Sequence, residues 1–575
     1  MTEIVDFAAT CPNPDIVLQE PWSEAPLAFG KFRFLERFTS VTGFVSSFEC
    51  MRIYEVRQLA ESVAEGESED VSPDLLSPTA LDYLDLSCLL SAQSEIHSVA
   101  TPHSAESFHS CASLLSDPLA TVTSKLVSQL KRVTVHRGPG TPIALRWSPA
   151  NERVCYQFFD SRNIRRYLAY YWSFWYPNCP IIHKPTFNVH RIPLTLLLPM
   201  LLVGSMFDPD ESITQTAKLW FNSAEELVFA DDNFHCDVIQ KDGINRRVHN
   251  RSAVQALQGA YLMCLLQNWE GDDIGKRRIR RARFGMVTAI ARELGFSVVR
   301  DYQQESDHTC WADFVAKEEF NRTLSYILLL DTAFVIFNNC PPKITISELS
   351  FLPVCPESCF QAETEAECFL FLFGRDSTSP ISQLAIAGLI SRICQGELDD
   401  LERGYIVGLG KLNLFIIVSG TQSTLHDADH RLIYFIAIHT LLFHARNTLT
   451  IEAAVAPIQR GLANWKVIWQ QHEVLDKIQA PSDNQTSMQN SWKRTGFIEY
   501  APEYWTLAHA IIVSIQQQIG ASSLSNTVGA TSNPNSEPGA LLCRFDENDM
   551  KQLNRFIHSI SNSGLLSVGA SPKDL

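Results

Sequence analysis

Six cations crowd into eight residues at Lys276-Arg277-Arg278-Ile279-Arg280-Arg281-Ala282-Arg283. Such density suits a nuclear-import patch or a nucleic-acid contact. A second cluster, His426-Asp427-Ala428-Asp429-His430, sets two imidazoles at i and i+4, a spacing that Zn²⁺ accepts on one helix face. No third ligand accompanies them, and Asp427 or Asp429 serves equally as a helix cap. His426 and His430 are therefore a weak metal candidate, and the sequence predicts no resident metal. Cys355 and Cys359 form the only close thiol pair, with no histidines at finger spacing behind them. Cys11, Cys50, Cys88, Cys111 and Cys155 lie tens of residues apart, so these residues hold neither a paired finger nor a six-cysteine zinc cluster.

Catalytic signatures are missing. Gly-x-Ser-x-Gly does not occur. Gly404 to Leu412 would need glycine at Tyr405 and a hydroxyl at Leu412 to hold a phosphate and its Mg²⁺. His472-Glu473 lacks the second histidine of a zincin helix. Asp231-Asp232 and Asp272-Asp273 lack the third carboxylate that a Mg²⁺ cluster requires. This pattern predicts a protein that is not an enzyme.

The elements that must carry these residues are helical. After Asp160 or Ser161 as N-cap, Ile164, Tyr167, Leu168, Tyr171, Phe174 and Trp175 recur at helical spacing until Pro177. Similar periodicity predicts helices at 193–206, 212–230, 252–269, 280–294, 315–337, 379–395, 401–418, 430–448, 452–478 and 503–518. Hairpin signals are scarce. Extended backward, the face of Phe284, Val287, Ala291 and Leu294 meets Lys276, Arg280 and Arg283. A continuous helix therefore turns Arg280 and Arg283 inward, where they need acidic partners. Asp331, on the apolar stripe of Leu324, Ile327, Leu328 and Val335, is the candidate.

The 575 residues are 45% hydrophobic and carry a net charge of −17. That composition supplies a core and excludes diffuse electrostatic binding to DNA, so any basic surface is local. Fifteen scattered cysteines suit a reducing compartment. Met1 to Asp6 has no basic or apolar leader, and Ile192–Phe207 and Leu432–Phe443 are too short to cross a bilayer, so neither secretion nor a membrane is expected. Residues 1–100 hold seventeen acidic and five basic side chains, and residues 91–125 show no periodicity. The expected organisation is an N-terminal segment (1–54), an acidic and Ser-rich, largely disordered linker (55–140), a helical domain (141–519), a linker (520–540), and a short helix with tail (541–575). The fold class is all-α: a large irregular helical bundle or superhelix behind a disordered acidic arm.

Three segments together resemble the fungal-specific transcription factor domain. The first runs from Phe158 through Trp172 to Tyr176-Pro177-Asn178-Cys179-Pro180 and His183-Lys184-Pro185-Thr186-Phe187. The second is Gly259 to Trp269 with Arg281 to Phe296, ending Ala291-Arg292-Glu293-Leu294-Gly295. The third is Glu318-Glu319-Phe320-Asn321-Arg322 through Asp331 to Pro341-Pro342. Phe34 to Cys50 is similar to the stretch that follows paired C2H2 fingers in one branch of that family.

The resemblance implies a nuclear regulator of a metabolic or secondary-metabolite gene set. Zinc would belong to fingers that these residues do not include, so contact with DNA is indirect and no cofactor is expected. Implied partners are the transcription machinery or coactivators, and a second copy or a finger-bearing relative in a dimer. Leu81, Tyr83, Leu84, Leu86 and Leu89, interspersed with Asp82 and Asp85, fit an activation segment or a spacer. The competing class is an all-α small-molecule-binding protein or enzyme of the same pathway, with a deep pocket lined by Trp172, Trp175 and Trp269.

Overall fold

A computed structural model describes residues 29–48, 117–234, 251–296, 311–345, 348–372, 380–419, 451–479, 488–525 and 550–563. Among them the regular elements are all helices, so the expected all-α class holds.

The N-terminal pair is α1 (Phe34–Ser40) and α2 (Phe44–Phe48). Then α3 (Pro118–Val135), α4 (Pro149–Phe158) and α5 (Ser161–Tyr170) follow, each opened by a side-chain cap: Asp117, Ser148 and Asp160. Helix α3 corrects the last part of the linker read as largely disordered over 55–140. Leu119, Val122, Leu126, Val127 and Leu130 form a buried stripe at i, i+3, i+7, i+8 and i+11, which the surrounding Ser and Thr residues obscure.

The first half of the domain is built on α6 (Leu194–Ser205), α7 (Glu211–Phe229) and α8 (Arg251–Glu270). Helix α6 is apolar on every face because α5, α7 and α8 all pack on it. Two glycines permit that closeness. A Cβ on Gly204 would overlap the Tyr167 carbonyl of α5, and one on Gly259 would overlap the Thr195 carbonyl of α6.

The helix expected at 280–294 is segmented. Helices α9 (Asp273–Arg278) and α10 (Phe284–Ala291) are joined by a π turn at Ile279–Arg283, and a second π turn spans Arg292–Phe296. Helix α11 (Trp311–Asn338) bridges the halves, touching α8 and α10 and, later in the chain, the helix Lys411–Ser419. It is long and apolar enough to cross a membrane, but 89% of its most apolar window is buried inside the protein.

The second half comprises α12 (Glu357–Phe360), α13 (Glu365–Leu372), α14 (Ile386–Gln395), α15 (Asp400–Val407), α16 (Lys411–Ser419), α17 (Ile451–Gln479) and α18 (Ala501–Ser525). The helix expected over 401–418 breaks at Gly408–Gly410, where Gly410 adopts φ +87°. Last, α19 (Lys551–Ser563) packs on α1, so the short C-terminal helix is present and meets the N-terminal one. The main apolar core draws on residues from Phe32 to Ile560, and a smaller second cluster gathers Cys355, Cys359, Phe360, Ala362 and Cys368 under Trp311 and Phe314.

Candidate functional site

The basic run does not act as one patch. The π turn inserts a residue into the helical phase, so Ile279 and Arg280 are both buried. Arg280 donates from Nε to Asn268 Oδ1 at 2.8 Å. Arg278 reaches Glu225 on α7 through Nε and Nη2, both at 2.7 Å, and Arg283 reaches the same carboxylate at 2.9 Å and Glu226 beside it. Glu225 is fully buried and also accepts from Gln267 at 2.9 Å. Arg278, Arg280 and Arg283 therefore clamp α9 and the π turn to α7 and α8. Arg277 and Arg281 are exposed and Lys276 is half-buried. These three are the cations of the run that stay at the surface.

The sequence offered Asp331 as the candidate partner of both Arg280 and Arg283; in the structure Arg280 is buried, and Arg283, partly buried, is bound by Glu225 and Glu226. Asp331 is buried and accepts the backbone N–H groups of Lys343 (2.9 Å) and Ile344 (2.8 Å). Burial pushes its carboxyl up to about 7, against the pull of those amides and of the Lys343 and Arg292 charges. Its role is to pin the Pro341-Pro342 turn onto α11. Sequence reasoning missed Glu225 because nothing local distinguishes it: it sits in Ser223-Ala224-Glu225-Glu226, which reads as an ordinary polar helix face.

The three segments that carry the family resemblance meet in space. Gln258, immediately before the second segment, donates from Nε2 to the Ile181 carbonyl at 2.7 Å and so ties the second to the first. The His183 amide donates to Glu319 Oε1 at 2.8 Å, joining the first to the third. Beside this, the fully buried Arg322 binds Glu318 and Glu357 at 3.0 Å and the Cys355 carbonyl at 2.8 Å, and lies over the Phe360 ring. Burial raises Glu319 to about 7, so that it keeps a proton well above the ordinary carboxylate range, and lowers His183 to about 4, so that its imidazole is neutral near pH 7. The network is structural: each charged group is bound to a neighbouring helix or turn.

At the centre lies an aromatic cavity. Its walls come from α1 and α2 (Phe38, Phe48), the π turn after α5 (Trp175), α8 (Tyr261, Trp269), α11 (Tyr326, Phe337), α16 (Phe415, Ser419) and α18 (Tyr504). It encloses about 540 Å³ including its mouth. Of the three tryptophans expected to line a pocket, Trp175 and Trp269 do so. Trp172 instead packs edge-on against Tyr176 and Phe187, both at 5.0 Å.

No group of three His, Cys, Asp or Glu side chains arranged to hold a metal exists among the described residues. His426 and His430, and the segment of Leu81, Tyr83, Leu84, Leu86 and Leu89, lie outside them. Asp272 has an ordinary task, capping α9 at Gly275 N (2.7 Å), and Asp231 accepts from Thr195 at 2.8 Å.

Among the described residues the body is helical, braced by buried ion pairs and hollowed by an aromatic cavity. The chain matches the fungal specific transcription factor domain over residues 168–465, and it belongs to that family. It is 34% identical to the transcription factor verF of Penicillium polonicum over 536 residues, covering 91% of this chain and 69% of verF. It is 20% identical to the zinc finger protein klf1 of Schizosaccharomyces pombe over 221 residues, covering 36% of this chain and 26% of klf1. No solved structure matches it.

Proposed function

We propose that the chain is a nuclear transcription regulator of a metabolic or secondary-metabolite gene set, working through protein contacts of its helical domain and not as an enzyme. The observation that carries this reading is the likeness to a transcription factor across 91% of the chain. The regulator needs no cofactor of its own and reaches DNA through a partner, a finger-bearing relative or a second copy. The spacing of its cysteines supports this, since none is set for a finger. Leu81 to Leu89 offers apolar side chains among acidic ones to a coactivator. Import uses Lys276, Arg277 and Arg281, whose neighbours Arg278, Arg280 and Arg283 are committed to the core.

The test is a fluorescently tagged full chain in the source organism, followed with transcript profiling of a deletion strain. Nuclear signal that disperses on combined Lys276→Ala, Arg277→Ala and Arg281→Ala, with a coherent transcript change on deletion, is the expected result. Uniform cytosolic signal with an unchanged transcriptome overturns the proposal.

A further inference from the structure

The aromatic cavity holds more hydrogen-bonding capacity than the protein uses. Trp175 Nε1, Trp269 Nε1, Tyr326 Oη and Ser419 Oγ are all buried and have no hydrogen-bond partner among the described residues. All four side chains stand on the cavity wall. Each is less than a tenth exposed: 1%, 8%, 1% and 2%. Buried polar groups in folded proteins are nearly always paired, and leaving a donor unpaired is costly. Four such atoms belong to side chains that line one apolar hollow, and mostly aromatic walls with a few polar groups are the composition of a ligand site. Two of the groups, the indoles, can only donate. Burial raises the Tyr326 phenol well above its ordinary value, so it too remains a donor.

The hollow is too tight for a ring system as it stands, and two phenyl rings account for this. Phe48 lies 5.1 Å from Trp175, 5.3 Å from Trp269 and 5.7 Å from Phe497, and Phe38 lies 4.7 Å from Phe337. Both rings come from the N-terminal helix pair and not from the domain itself. Helix α2 is only five residues long, and a Glu270 carboxylate binds its first amide, that of Phe44. The N-terminal pair thus fills an aromatic box whose donors it leaves unsatisfied.

We infer that the cavity is a binding site for a flat, apolar, polycyclic aromatic molecule bearing a carbonyl oxygen, which enters by displacing Phe48 and pairs with the indole and phenol donors. Occupancy is thereby coupled to withdrawal of α2 from the domain. This rests on the reading of the domain as a regulator. The binding test uses purified full chain, so its outcome is separate from localisation and transcript results.

Xanthone serves as the probe, and xanthene, which has the same rings without the carbonyl, as its control; binding is followed by tryptophan fluorescence and calorimetry. Xanthone should bind at least tenfold more tightly than xanthene. Phe48→Ala should tighten xanthone about tenfold by removing its competitor. Tyr326→Phe and Trp269→Phe, which keep an aromatic ring at each position, should weaken xanthone five- to tenfold and leave xanthene unchanged. Melting curves identify any variant that fails to fold, and Tyr326→Phe and Trp269→Phe test the donors independently of each other. Equal binding of the two probes, affinity unmoved by Phe48→Ala, or no binding to either form overturns the inference; in the last case the cavity holds water alone.

Discussion

Glu503 accepts the backbone N–H of Phe34 at 2.9 Å across 469 positions of sequence, and its second oxygen accepts that of Leu35 at 2.8 Å. A buried carboxylate on α18 thus caps the first turn of α1, where the free amides and the helix dipole both favour negative charge. Helix α19 holds the other side of α1, with Asn554 donating to Thr39 Oγ1 at 2.9 Å. Replacing Glu503 by Ala should loosen α1 by about 1–3 kcal/mol. Trypsin should then cut at Arg33 and Arg37 well before the domain unfolds. Unchanged protection at those two sites, read by mass spectrometry, would show that packing alone holds α1.

Glu225 is shared by Arg278 and Arg283, so its loss strands two cations at once. Glu225→Ala should cost about 3–5 kcal/mol in urea unfolding, the usual result of breaking a buried ion pair from one side. Glu225→Gln keeps an acceptor and should cost less. Arg277→Ala and Arg281→Ala should leave the melting temperature nearly unchanged. A basic run acting as one surface patch would instead make all of these substitutions equivalent.

Glu319 gives the domain a pH dependence of defined sign. Its folded value, about 7, lies above the ordinary 4.5, chiefly through burial and despite the His183 amide. The folded state therefore holds a proton that the unfolded chain releases, and this contribution is present below about pH 4.5 and lost as pH rises through 7. Glu319→Gln should be more stable than the parent by about 1–3 kcal/mol at about pH 8, with the gap closing near pH 4.5. His183 acts oppositely: its value is lowered by burial to about 4, so its contribution is lost as pH falls from 6.5 through 4. Comparing Glu319→Gln with the parent at both pH values isolates Glu319, because His183 is common to both. A gap of constant size for Glu319→Gln would contradict the assignment.

Two glycines in helices should respond to alanine with opposite signs. Gly259 faces the Thr195 backbone with no room for a methyl group, so Gly259→Ala should destabilise by about 3 kcal/mol. Gly285 on α10 has nothing within 4 Å of the place a methyl group would occupy, so Gly285→Ala should stabilise by about 0.5–1 kcal/mol through helix propensity. Thermal unfolding of the pair is the measurement, and a shared sign would refute the packing of α6 on α8.

Local chemistry was legible in the chain itself. Asp160, one of the two N-caps the sequence offered, caps α5 by accepting from Asn163 N at 2.7 Å, and periodicity located α6, α7, α8, α11 and α17 to within a few residues. The inward turn of Arg280 and the burial of Asp331 also followed from the apolar stripes around them. Both are local properties, set by 3.6-residue repetition and by which side chains tolerate a helix end.

What lay beyond reach depends on partners distant in sequence. That Arg283 meets Glu225 and not Asp331 is decided by a π turn and by the approach of α7, neither of which leaves a residue pattern. The cavity is likewise a property of the assembled body. Trp175 and Trp269 were recognisable as bulky aromatics, but their convergence with Tyr326, Phe415 and Tyr504, closed by Phe38 and Phe48, comes from helices spread from Phe38 to Tyr504. Sequence sets which face of each helix is apolar; only the packing of those faces against one another decides which buried donors find partners and which do not.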